Sequence, residues 1–178
     1  MKKIFAINGS ASRNSSNEKL IDYIANLMKD SFSVTVFNDL KMLPHFDPEL
    51  STSNTPEEIL NFRNNVERAD GIIVCSPEYV FSIPSGLKNA LEWCVATNIF
   101  ASKPTGLITA SANGEKGHEE LQLIMKTVMA RFTTDTTMLI QGVKGKIDKQ
   151  GFITDNKTRD DLDKFIAAFK ELTADHTR

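Results

Sequence analysis

The chain has few of the residues that staple a small protein or ligate a metal. It contains two cysteines and three histidines in 178 residues. Cys75 and Cys94 form neither a CxxC pair nor a metal-ligand spacing. Both read as buried free thiols, because free cysteine is among the most buried residue types. Nothing demands an oxidising compartment, so the expected location is cytoplasmic. His45, His118 and His176 are too dispersed for a metal triad. Long apolar runs are missing too, and no stretch approaches the ~20 residues of a membrane span. Met1–Asn8 is basic and then apolar, but its apolar run is too short for a signal peptide and reads as a first strand. Positive charge is not in excess: 21 Lys and Arg stand against 23 Asp and Glu, for a net charge of −2. No basic stripe for a nucleic acid is implied. Glycine is scarce where a dinucleotide would need it. One glycine, Gly9, lies between the first strand and the next helix, so neither GxGxxG nor a P-loop is present.

What is present is an alternation of strands and helices. The length suggests one domain, 1–178. Lys3–Asn8, Ser33–Asn38, Gly71–Ser76, Pro104–Ala110 and Thr134–Ile140 read as strands. A helical stripe follows each: Leu20, Ile21, Ile24, Leu27 and Met28; Ile59, Phe62, Val66 and Ala69; Leu87, Ala90, Leu91 and Cys94; Leu121, Ile124, Met125, Val128, Met129 and Phe132; Leu162, Phe165, Ile166, Phe169 and Leu172. Leu43–Thr55 reads as an ordered surface loop, and Thr173–Arg178 as a fraying tail. Strands alternating with helices imply a parallel sheet covered on both faces. The expectation is an α/β, flavodoxin-like three-layer sandwich with a five-stranded parallel sheet in the order 2-1-3-4-5.

Three loops share the carboxyl edge of that sheet, where ligands of open α/β folds sit. Gly9–Asn17 packs Ser10, Ser12, Ser15 and Ser16 around Arg13, directly before a helix. Hydroxyls, a guanidinium and a helix N-terminus make a nest for one phosphate monoester. The plain alternative is a serine-rich helix cap without a ligand. Pro77–Pro84 is stiffened by a proline at each end and carries the rings of Tyr79 and Phe81, with Ser85 as a candidate cap for the helix beyond. Its plain alternative is an ordinary strand-to-helix loop. Ser111–Gly117 offers glycines where backbone could approach a flat ligand. Together the three suit a flavin mononucleotide, and they suit a dinucleotide poorly as the bound group.

Gly9-Ser10 with Ser15 and Asn17, then Pro77-Glu78-Tyr79, Ser82-Ile83-Pro84 and Leu87-Lys88-Asn89-Ala90, resemble the NADPH-dependent FMN reductase family. That family groups flavodoxin-like FMN, quinone, chromate and azo-dye reductases. The likeness extends over nearly the whole chain. It departs from the family's Gly-Ser-x-Arg pattern at Ser12, with Arg13 one place later. The resemblance implies that Ser10, Ser12, Arg13, Ser15, Ser16 and Asn17 hold the FMN phosphate. Pro77, Glu78, Tyr79, Val80 and Phe81 would line the isoalloxazine, and Ser111, Gly114 and Gly117 would close its other edge. NADPH or NADH would be the co-substrate and a small molecule the electron acceptor: a quinone, free flavin, azo compound or chromate. No catalytic acid or base and no metal is implied. A homodimer or homotetramer is, with Trp93 and its exposed neighbours as contact candidates and buried core as the other reading of Trp93. A flavodoxin-type electron carrier is the alternative function, against which the small net charge argues. A flavin-free domain reusing the fold is a third reading.

Overall fold

The structure is a computed structural model that describes residues 1–175. Its five strands are β1 (Lys2–Asn8), β2 (Phe32–Phe37), β3 (Gly71–Ser76), β4 (Thr105–Ser111) and β5 (Thr137–Gln141). They form one parallel sheet in the order β2-β1-β3-β4-β5. The helices are α1 (Ser16–Met28), α2 (Glu57–Arg68), α3 (Ser85–Glu92), α4 (Glu115–Thr127) and α5 (Asn156–Ala174).

The period of two along each strand divides the interior into two layers. From β1, Ile4 and Ala6 face one side, while Phe5 and Ile7 face the other. The first side is covered by α1, through Leu20, Ile21, Ile24 and Met28, and by α5, through Leu162, Phe165, Ile166 and Phe169. The second is covered by Ile59, Phe62 and Val66 of α2, Leu87, Ala90 and Leu91 of α3, and Leu121 and Met125 of α4. Burying each such side chain contributes about 1.5–3 kcal/mol. Close packing leaves no slack at Gly106, where an added Cβ would lie 2.6 Å from the Phe165 ring. The three-layer arrangement and the strand order are those expected from the alternation.

Several local expectations are corrected. Ser85 is the first residue of α3 rather than its cap; Pro84 precedes it, and no side chain caps the helix. That helix ends at Glu92, before the last residue of its expected stripe, Cys94, and tight turns follow. Thr134–Thr136 is a 3-10 turn rather than strand, because Thr133 and Thr136 close a capping box on each other. The expected tail at Thr173 is still helical, and the Thr173 side chain is buried. The rest of that tail, 176–178, with His176, lies outside the described residues. Trp93 is fully buried and donates Nε1–H to the Pro44 carbonyl at 2.8 Å, so it is core and not a contact surface. Cys75 and Cys94 are both buried thiols. Burial pushes Cys94 up to about 12, against the pull of nearby Arg63, and pushes Cys75 up as well. Neither supplies a thiolate near neutral pH.

Candidate functional site at the carboxyl edge

The loop after β1 is shaped by its own polar groups. Gly9 crosses close to β3: a Cβ there would meet Ser76 Oγ at 2.8 Å and Leu87 Cδ2 at 3.0 Å. Asn8 then orients the turn. Its Oδ1 accepts Ser10 N–H at 3.0 Å, and its Nδ2 donates to Asn38 Oδ1 at 2.9 Å. Ser10 Oγ accepts Ser12 N–H at 3.2 Å and is hydrogen-bonded to Tyr79 Oη at 3.3 Å. Ser15 is the helix cap, its Oγ accepting Glu18 N–H at 3.1 Å. Ser16 and Asn17 occupy the first turn, where a backbone N–H has no intrahelical acceptor. Arg13 is exposed beside them. The site therefore offers free N–H groups, the positive end of a helix dipole, and hydroxyls.

Asn17 departs from its expected role. Its side chain turns inward, donating Nδ2–H to the Ala110 carbonyl at 3.0 Å and accepting Cys75 S–H on Oδ1 at 3.2 Å. It ties α1 to β3 and β4, which leaves only its backbone N–H to face a ligand.

A cleft of about 640 Å³ opens beside this loop. That volume is in the range of small-molecule sites. Ser10, Ser12 and Arg13, expected at the phosphate, and Tyr79, expected beside the ring system, all line it. It then runs toward β2 and α3, along Asn38, Lys41, His45 and Asn89, none of which was expected to hold the cofactor. Asn8 ends β1 and Asn38 directly follows β2, and the strand-edge rule would have found them. Ser15, Ser16, Asn17, Pro77, Glu78, Val80 and Phe81 lie outside that lining, as do Ser111, Gly114 and Gly117.

The second loop is built around a tight turn. Tyr79 and Ser82 exchange both backbone hydrogen bonds, at 2.9 and 3.0 Å, leaving Val80 and Phe81 at the corner. Both corner residues have positive φ, 51° and 59°. A β-branched residue there is a genuine outlier. Such strain costs about 1–3 kcal/mol per residue and persists where the surroundings over-determine it. Val80 is 94% exposed and Phe81 73%, so packing of their own side chains does not hold the turn.

The third loop is shorter than expected, because α4 begins at Glu115. Gly114 precedes it at φ 90°, a conformation that favours glycine. Gly117 is inside α4 and buried; a Cβ there would press on Glu78 Cβ at 3.2 Å. It closes helix against loop, not helix against ligand. The Glu78 carboxylate accepts Gly114 N–H at 3.2 Å and Gly117 N–H at 2.8 Å. It is thus committed to the α4 N-terminus, while Ser111 Oγ donates to the Glu78 carbonyl at 3.4 Å. Pro77 is buried. His118, on the first turn of α4, is hydrogen-bonded through Nδ1 to Thr109 Oγ1 at 2.9 Å, and burial holds its ring below the usual histidine range.

Residues 2–143 match the family model described as NADPH-dependent FMN reductase. A 2-hydroxy-1,4-benzoquinone reductase of Burkholderia sp is 30% identical over 97% of this chain and 97% of its own length. An NAD(P)H:quinone oxidoreductase of Solanum tuberosum is 27% identical over 96% of this chain and 92% of its own. Among solved structures, FerB, a flavoenzyme NAD(P)H:(acceptor) oxidoreductase from Paracoccus denitrificans, superposes with a TM-score of 0.82 at 24% identity. It covers 99% of both chains.

Proposed function

The chain belongs to the NADPH-dependent FMN reductase family, and we propose on that premise that it is an NAD(P)H-dependent FMN oxidoreductase acting on a small electron acceptor. The acceptor class we favour is a quinone or free flavin; azo compounds and chromate are further candidates. The observation that carries the site assignment is the serine-lined start of α1, opening on a cleft of ligand size. Its donors fit a phosphate monoester, and its single glycine leaves no turn for a pyrophosphate.

In this reading the whole chain is one FMN-binding unit. Ser10, Ser12, Ser16, the Arg13 side chain and the N–H groups of Ser16 and Asn17 hold the phosphate. Ser15 serves as the cap that fixes those N–H groups in place. Tyr79, Val80 and Phe81 flank the ring system and shield it from water. Glu78 locks that flank to α4. When bound, FMN supplies hydride acceptance from NAD(P)H and delivery to the acceptor, and the chain supplies position and electrostatics. Backbone N–H groups, rather than a side-chain acid or base, meet the charge that develops on reduction.

We further propose pairing into a homodimer or homotetramer, supported by exposed apolar side chains on the helices, such as Leu60 of α2 and Leu123 of α4. A cytoplasmic setting is supported by two free thiols. Among the described residues no helix is long and apolar enough to cross a membrane. The test is a steady-state assay of FMN-loaded protein with NADPH and NADH against quinone, FMN, azo dye and chromate. Turnover with at least one acceptor is expected; a yellow protein inert to both nicotinamides would overturn the enzymatic reading.

A further inference from the structure

The strained Val80–Phe81 corner needs a restraint from outside its own loop. A two-residue hairpin of this hand normally takes Asn-Gly, because both corner residues need positive φ. Here the corner is Val-Phe, and α4 supplies the restraint. Glu120 Oε2 accepts the Ser82 hydroxyl at 2.6 Å and Ile83 N–H at 2.8 Å. On the other side of the corner, Glu78 reaches the opposite way and accepts Gly114 N–H and Gly117 N–H. One carboxylate runs from helix to loop, the other from loop to helix. Gly117 permits the approach, because any Cβ there would press on Glu78 and on the Ser82 carbonyl at 3.4 Å.

We propose that Glu120 is a positioning residue of the reductase: it holds the Val80–Phe81 corner in its strained form and thereby sets the apolar mouth at which a quinone acceptor docks. The inference rests on the flavin-reductase reading above. Glu120 touches neither cofactor nor acceptor; it acts through Ser82 and Ile83. The corner directly follows Tyr79, which lines the cleft, and carries two exposed apolar side chains and no charge, which suits a flat, uncharged ring compound. Releasing the corner lets the two residues relax to negative φ and swing away from that mouth. The acceptor's KM then suffers first, while the phosphate nest on α1 stays as it was.

Backbone amide exchange over residues 79–83, read by mass spectrometry on the protein without nicotinamide, tests the restraint directly. Steady-state kinetics with 1,4-benzoquinone test its consequence. In Glu120→Ala, exchange of that segment is expected to speed up roughly tenfold, and the KM for the quinone to rise by about as much, as for loss of a hydrogen bond to a charged group. The affinity for FMN should change less than the quinone KM, since the phosphate nest on α1 is untouched, and kcat should fall less than KM rises. Glu120→Gln keeps an acceptor oxygen and should restore both readouts. Ser82→Ala keeps the Ile83 bond and should give a smaller change in the same direction; it carries the test if Glu120→Ala does not fold. Unchanged exchange in Glu120→Ala, or in Ser82→Ala where that variant carries the test, overturns the proposal, as does a Glu120→Gln protein as impaired as the alanine variant. Wild-type protein that binds no FMN overturns the flavin reading instead, and the exchange data then judge the restraint alone.

Discussion

The loops after β1 and β3 meet at one edge of the sheet and are built on opposite plans. The first, at 9–15, keeps donors in reserve. Its serines and the start of α1 present N–H and O–H groups that the fold does not fully use. The second, at 77–84, spends its polar groups inward. Tyr79 and Ser82 bond to each other, Glu78 bonds to α4, and Glu120 bonds back. What it turns outward is apolar. One plan suits an anion; the other holds a hydrophobic surface against strain. A bound group with a phosphate at one end and a flat ring at the other matches the pair.

The contrast can be broken from either side. The largest effect is expected at the nest. Ser15→Asp keeps the helix cap, since Asp caps as well as Ser, but adds a negative charge beside the phosphate. The Kd for FMN by fluorescence titration should rise about 100-fold or more, the scale of placing two like charges side by side near a protein surface. The melting temperature should not fall. A large loss of stability would mean that Ser15 matters to the fold rather than to the ligand.

The opposite trade is expected at the corner. Replacing Val80 with Asn and Phe81 with Gly installs the pair this turn prefers. Denaturant unfolding should show a gain of about 1–2 kcal/mol from relieved strain. Turnover with quinone should nevertheless fall. Gain of stability with full activity would show that the strained pair has no functional part. Tyr79→Ala should likewise impair turnover more than folding, because the ring is partly exposed and its hydroxyl bond to Ser10 is long, at 3.3 Å.

The smallest effect concerns His118. Burial depresses its folded-state pKa, so below the ordinary value of 6.5 the unfolded chain binds more protons than the folded one. Its contribution is therefore complete above that value and is lost as pH falls through the lower, folded one. Urea midpoints of wild type should drop between pH 7 and 5 more than those of His118→Gln. Parallel curves would refute the assignment.

The strand order and both helix layers were legible in the sequence because period-two and helical stripes report burial directly. The site was legible in part. Serines before a helix and rings between two prolines read correctly as edge loops, because local turn chemistry decides them. At Asn17 only the side chain departs from expectation: a polar residue at a helix start looks like a ligand group, and the approach of β3 and β4 turns that side chain inward while its N–H stays at the helix start. Glu120 left no trace, because a glutamate on a helix is solvent-facing by default and its partner Ile83 is 37 positions away. Gly117 suggested a loop, yet its missing side chain serves helix-to-loop contact across a distance the sequence does not encode locally.

The most direct measurement is a pair of calorimetric titrations of the apo protein, one with FMN and one with riboflavin. If the α1 nest reads a phosphate, FMN should bind about 100-fold tighter than riboflavin, as expected for several charge-assisted hydrogen bonds. Equal affinity for the two would show that the nest takes no part in binding and would contradict the assignment of the site.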